Sequence, residues 1–353
     1  MRLYEGVRPV LFQLPPERAH SLVSRGIRLT QSIDPLRSAL ARHYRVDDPA
    51  LSVECLGMRF RNPVGVAAGF DKNAEMTHGL ASLGFGFIEV GTVTPAPQSG
   101  NERPRLFRIQ SDQALINRLG FNGDGAERVR DRLQHDERPP VPLGINVGKM
   151  NNSDETAALN DYRYVVQRLA PFADYLVVNV SCPNTPDSFD EDSPAHLEAI
   201  FETLEPDLGE TPLLVKVGPD APEASLRDLL EIVEDHDVDG IIATNTTTDR
   251  PTTASAAIDE WGGLSGKPLQ DRSTAVIRTI AETTDLDIIG VGGVDSAETA
   301  YAKIRAGASL VQVYTGFVYQ GPSTARTINR GLLESLERDG FESIEEAVGA
   351  DIR

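Results

Sequence analysis

Polar and reactive side chains crowd into one short segment, Asn179-Val-Ser-Cys-Pro-Asn184, directly after the apolar run 175–180. An Asn side chain offers a donor and an acceptor together, which suits the amide edges of a planar ring. A thiol at such a place can move a proton. A lone cysteine is most often a small apolar filler. On this segment alone that reading would stand, although Pro183 stops the strand and strand carboxyl ends are where α/β folds hold ligands; the rest of the chain reverses it. Lysines supply a second set of candidates. Only five of the 34 basic residues are lysine, and Lys72, Lys149, Lys216 and Lys267 stand in DKN, NVGK, LVKVG and LSGKP. A compact ammonium is hard to replace by a guanidinium where space is tight. Lys303 falls on a predicted surface helix and is assigned no role. Three turns, Leu264-Ser265-Gly266, Gly290-Val-Gly-Gly293 and Tyr314-Thr-Gly316, offer backbone N–H groups without side-chain obstruction. With Lys216 they favour a bound phosphorylated cofactor. No dinucleotide fingerprint opens a helix after the first strand, which disfavours NAD as the resident cofactor.

These residues need a frame that brings them together. After Pro49, short apolar runs alternate with helix-like stretches. The runs are 62–69, 87–94, 142–148, 175–181, 212–218, 240–247, 287–293 and 310–316. Candidate helices between them cover 155–170, 222–236, 271–283 and 296–306. Such alternation predicts parallel βαβ units, and eight of them predict an α/β fold of the (β/α)8 TIM-barrel type. A doubly wound sheet is the second choice. The long interval between the second and third runs suggests an inserted loop or hairpin at the mouth. In a barrel, Ala68 to Lys72, Thr92, Asn146, Asn179, Lys216, Thr244 to Thr246, Gly292-Gly293 and Tyr314-Thr315 all converge on one rim.

The formal charge of −19 over 353 residues argues against generic nucleic-acid affinity and fits an acidic surface adapted to concentrated salt. No apolar stretch is long enough to span a bilayer, and MRLYEGVRPVLFQL lacks the features of a signal peptide. Two cysteines, Cys55 and Cys182, imply no disulfide framework and suggest a cytosol-facing protein. Charge is unevenly spread. Residues 1–46 carry eight arginines against Glu5, Glu17 and Asp34, a local +5 that leaves −24 elsewhere. Ala19, Leu22, Val23, Gly26 and Ile27 recur there at helical spacing after Pro15-Pro16. A basic amphipathic helix pair of this kind reads as a membrane-surface element, or as a helical cap on the main domain. The expected division is a basic helical segment over 1–48 and a barrel over 49–353.

AAGFDKNAE, IEVGTVTPAPQ, GNERPRLFR, LINRLGFNG, GINVGK, NVSCPNTP, IIATNTT, GGLSGKPL, IIGVGG and LVQVYTGFVYQGP, in this order, resemble the dihydroorotate dehydrogenases. Those are FMN-dependent flavoenzymes of pyrimidine biosynthesis, and the likeness runs from about residue 50 to 322. It implies FMN contacts from Ala68, Gly69, Phe70, Asp71, Lys72, Thr92, Asn146, Asn179, Lys216, Thr244, Gly266, Gly293, Tyr314 and Thr315. It further implies that Lys72, Asn117, Arg118, Leu119, Gly120, Phe121, Asn179, Asn184, Asn245 and Thr246 hold dihydroorotate, the precursor of orotate. The opening LFQLPPERAH and its basic helices are similar to the class 2 branch, which passes electrons to a membrane quinone from the cytoplasmic face of the cell membrane. On that likeness the N-terminal helices make a peripheral membrane contact and admit the quinone, with His20 and Arg108 lining its path. One departure stands out: class 2 chains carry serine as the catalytic base, whereas Cys182 is the class 1 pattern. A class 1-like soluble enzyme using fumarate or NAD is therefore the alternative.

Overall fold

A computed structural model describes residues 2–181, 193–250 and 259–352. The chain opens with three helices, α1 (Arg2–Leu11), α2 (Pro16–Gln31) and α3 (Asp34–Tyr44). A short antiparallel pair follows, β1 (Val53–Cys55) and β2 (Met58–Phe60). The main body then runs β3 (Val64–Asp71), α4 (Thr77–Ser82), β4 (Phe87–Val93), β5 (Leu106–Ile109), β6 (Ala114–Asn117), α5 (Ala126–His135) and β7 (Leu143–Val147). It continues through α6 (Glu155–Leu169), β8 (Tyr175–Asn179), α7 (Pro194–Leu208), β9 (Leu213–Val217), α8 (Glu223–Asp235), β10 (Gly240–Ala243) and β11 (Gly263–Gly266). Last come α9 (Gln270–Thr283), β12 (Asp287–Val291), α10 (Ala297–Arg305), β13 (Leu310–Val313), α11 (Thr315–Gln320), α12 (Thr324–Asp339) and α13 (Ile344–Ala347).

Eight strands close a parallel barrel in the order β3-β4-β7-β8-β9-β10-β12-β13, with β13 pairing back to β3. Both faces of such strands are covered, so they read as unbroken apolar runs. Each begins within two residues of its predicted start. The predicted runs extend past most strands at the carboxyl end, because the turns that follow carry the ligand-facing residues. The interval after β4 holds the expected hairpin, β5 with β6, and β11 adds a third antiparallel strand to it that the sequence did not suggest. The four candidate helices are α6, α8, α9 and α10, each within one residue of expectation at either end.

Close approaches fix the outer layers. A Cβ on Gly79 of α4 would lie 2.4 Å from Ile27 Cγ2 and 2.8 Å from the Ile27 carbonyl, so α2 rests directly on α4. Of the apolar positions expected on α2, Ile27 is buried and Leu22 is half exposed. No described helix is long and apolar enough to cross a membrane.

Candidate active site

The barrel interior is not wholly apolar. Glu89, Asn146 and Gln312, one each from β4, β7 and β13, are fully buried. Gln312 Nε2 donates to Glu89 Oε2 at 2.5 Å, and Asn146 Nδ2 donates to Glu89 Oε1 at 2.9 Å. A buried carboxylate is tolerated where donors satisfy it. The ladder climbs to the carboxyl rim, where Thr92 Oγ1 donates to Asn146 Oδ1 at 2.6 Å. Asn179 Nδ2 then donates to Thr92 Oγ1 at 3.0 Å, and Asn245 Nδ2 to Asn179 Oδ1 at 3.3 Å. Asn245 Nδ2 also reaches the Ser181 carbonyl at 2.9 Å, while Ser181 Oγ donates to the Lys216 carbonyl at 2.7 Å. Glu89 and Gln312 were not singled out from the sequence, although a Glu within FIEV and a Gln within LVQV are polar breaks in otherwise apolar runs.

Above the ladder lies a cavity of about 140 Å³. Ala68, Gly69, Lys72, Thr92, Asn117, Leu119, Gly120, Phe121, Asn179, Lys216, Thr244, Asn245, Thr246, Gly266, Gly293, Tyr314 and Thr315 all line it. Lys72 Nζ donates to Asn122 Oδ1 at 2.7 Å. Lys216 is 6% exposed, and no ion pair among the described residues includes it. The Thr246 hydroxyl is buried with no hydrogen-bond partner among the described residues. Ser265 and Thr315 share a hydroxyl–hydroxyl bond of 2.8 Å beside the glycine turns.

Four of the expected residues do not face this cavity. Asn146 stands one layer down, in the ladder. Asp71 turns back to accept from the backbone N–H groups of Glu75 at 2.9 Å and Met76 at 2.7 Å, and burial pushes its carboxyl up to about 6. Arg118 points away, pairing with Glu260 at 2.6 Å and stacking over Phe107 and Trp261. Phe70 belongs to a second cavity. Cys182 and Asn184 lie outside the described residues.

That second cavity, about 420 Å³, lies between α1–α3 and the barrel. Phe12, Val23, Ile27, Phe70, Leu83 and Phe317 give it an apolar wall, and His20 and Arg108 line it as well. His20 packs edge-on to Phe70 with centroids 5.1 Å apart, and burial pulls its imidazole down to about 4. Arg108 donates to the Leu14 carbonyl, rests over the Phe12 ring at 4.5 Å, and keeps a buried Nη1 with no partner among the described residues. Leu106, Leu115 and Tyr314 line both cavities.

Residues 50–336 match the family model described as dihydroorotate dehydrogenase. The chain belongs to the dihydroorotate dehydrogenase family. It is 54% identical to a protein named dihydroorotate dehydrogenase (quinone) from Natronomonas pharaonis, covering 100% of both chains. A protein of the same name from Halobacterium salinarum is 50% identical over 99% of this chain and all of its own. Among solved structures, the crystal structure of DHODH from Eimeria tenella in complex with ferulenol superposes with a TM-score of 0.86 at 37% identity, covering 98% of this chain and 99% of that one.

Proposed function

We propose that this chain oxidises dihydroorotate to orotate with FMN as its cofactor and passes the electrons to a membrane quinone, a step of pyrimidine biosynthesis. The observation that carries the reading is the pair of cavities, one polar and one apolar, with Leu106, Leu115 and Tyr314 as their common wall. FMN supplies the two-electron acceptor.

The residues present suit that group. A buried ammonium without a carboxylate partner is costly unless a ligand brings negative charge to it, and among the described residues Lys216 has no such partner. Gly266, Gly292 and Gly293 take φ values of 96°, 112° and 74° and face the cavity with backbone alone, as a phosphate cradle requires. Thr246 and Asn245 offer a hydroxyl and an amide to a planar ring bearing both donors and acceptors. Lys72 stands ready for the substrate carboxylate. In this reading Asn146 and Asp71 act through what they hold. Asn146 orients Thr92, and Asp71 shapes the turn that presents Lys72.

Forming the ring double bond removes one hydrogen as a proton and the other with the bonding pair. Cys182 takes the proton. It follows Ser181, which Asn245 and the Lys216 carbonyl tie to the rim. A thiol, with a free pKa of about 8.5, is a more readily ionised base than a serine hydroxyl.

The N-terminal segment, 1–48, serves as the membrane-facing quinone port, and 49–353 as the catalytic barrel. Among the described residues, seven of the eight exposed large hydrophobic residues fall in that segment: Val7, Val10, Leu14, Leu22, Leu29, Ile33 and Leu36. Their placement beside the arginines suits peripheral attachment to the cytoplasmic face of the cell membrane. A soluble acceptor, fumarate or NAD, would have no use for the apolar cavity. One cuvette tests the proposal. The purified protein should be yellow, bleach anaerobically with dihydroorotate, and recolour with a quinone but with neither fumarate nor NAD. A colourless protein that takes up no FMN refutes it.

A further inference from the structure

Lys303 is fully buried on α10, contrary to the surface position expected of it. Its Nζ donates to Ser273 Oγ, to Thr274 Oγ1 at 2.9 Å and to the Gln270 carbonyl at 3.4 Å, all in the first turn of α9. These partners are neutral oxygens, and no carboxylate among the described residues forms an ion pair with it. Ser273 Oγ, in turn, donates to the Gly292 carbonyl at 2.8 Å. The glycine turn is seated on this same helical turn. A Cβ on Gly292 would fall 2.8 Å from Ser273 Oγ, and one on Gly293 would fall 2.6 Å from Gln270 Cα. Gly292 and Gly293 present their other side to the polar cavity.

Burying an ammonium whose hydrogen-bond partners are all neutral oxygens is unfavourable, and the Asp271 carboxylate nearby offsets only part of that cost, so a further anion close by would be stabilising. Burial pulls this one down to about 7. On the far side of the turn lies the place where the glycine-lined wall suits a phosphate, and a dianion there would hold the lysine charged.

We propose that Lys303 is a positioning residue for the phosphate end of the cofactor: from behind the wall it clamps Ser273 to Gly292 and supplies the positive charge beneath the turn. The proposal rests on the FMN reading above, and its chemistry is that of a flavin phosphate monoester rather than of the ring.

Riboflavin, which lacks the phosphate, separates the two. The full-length protein stripped of flavin is titrated with FMN and with riboflavin, following flavin fluorescence, and its thermal unfolding is recorded without flavin. Lys303→Met should bind FMN about tenfold or more weakly, with riboflavin affinity unchanged. Without flavin it should unfold no lower than the parent, because a buried cation gives way to an apolar side chain of similar length. A merely structural role would lower both affinities together. Equal weakening for both flavins, or none, overturns the proposal while leaving the FMN reading intact. Should Lys303→Met fail to fold, Ser273→Ala decides, with the same selective loss expected and the same two outcomes fatal. A parent protein that binds neither flavin refutes the underlying reading instead.

Discussion

Gly26 lies on the second cavity, on the exposed face of α2, and a Cβ there would meet nothing within 4 Å. Gly26→Phe therefore places a ring at the mouth of the apolar space, with its Cβ meeting no neighbour. Its effect on the fold should be mildly favourable. Glycine costs about 1 kcal/mol in a helix interior against roughly half that for Phe, a gain of about 0.5 kcal/mol. For a chain of this size that raises the melting temperature by about 1 °C. The effect on the acceptor should be far larger. A Phe ring buries up to roughly 200 Å², so one that denies a quinone half of that, about 100 Å² of apolar contact, removes about 2.5 kcal/mol, or about 60-fold in kcat/KM for the quinone. Stopped-flow bleaching by dihydroorotate isolates the first half of turnover, and steady-state assays with varied quinone report the second. The expected pattern is an unchanged bleaching rate with a much reduced kcat/KM for quinone. Loss of both in equal measure, or of neither, refutes the assignment of this cavity to the acceptor.

Two further outcomes follow. Cys182→Ala should slow bleaching by dihydroorotate by on the order of 10² to 10⁴ while the flavin stays bound, as loss of a general base requires; bleaching at the parental rate would remove Cys182 from that role. His20 has its imidazole depressed from 6.5 to about 4, so its contribution is complete above the unfolded value and drains away as acid protonates it, by up to about 3 kcal/mol between those limits. Melting curves of the parent and of His20→Phe should diverge as the pH falls from 6.5 toward 4, the parent losing more, whereas parallel trends would contradict a buried neutral imidazole.

The barrel was legible because strands covered on both faces leave long apolar runs, and helices between them leave polar periodic ones. Most of the rim was legible for a related reason. Polar residues at the ends of apolar runs have few structural excuses, and seventeen of the expected site residues meet in one cavity. What escaped were side chains whose role depends on direction rather than type. Arg118 sits between Asn117 and Leu119 on the same mouth segment but turns outward to Glu260. Phe70 follows Gly69 and faces the opposite cavity. Lys303 has the sequence surroundings of a surface helix, and only the packing of α10 on α9 encloses it. Glu89 and Gln312 come together from strands more than 220 residues apart in sequence, which no local pattern reveals.

The shared partition of Leu106, Leu115 and Tyr314 has a bearing on how such an enzyme could diversify. Electrons can cross a few side chains that molecules cannot, so the two reactants need never compete for one berth, and an inhibitor lodged against one should leave occupancy of the other untouched. Recasting the three leading helices would then alter which oxidant is welcomed while the pyrimidine chemistry on the other side carried on undisturbed.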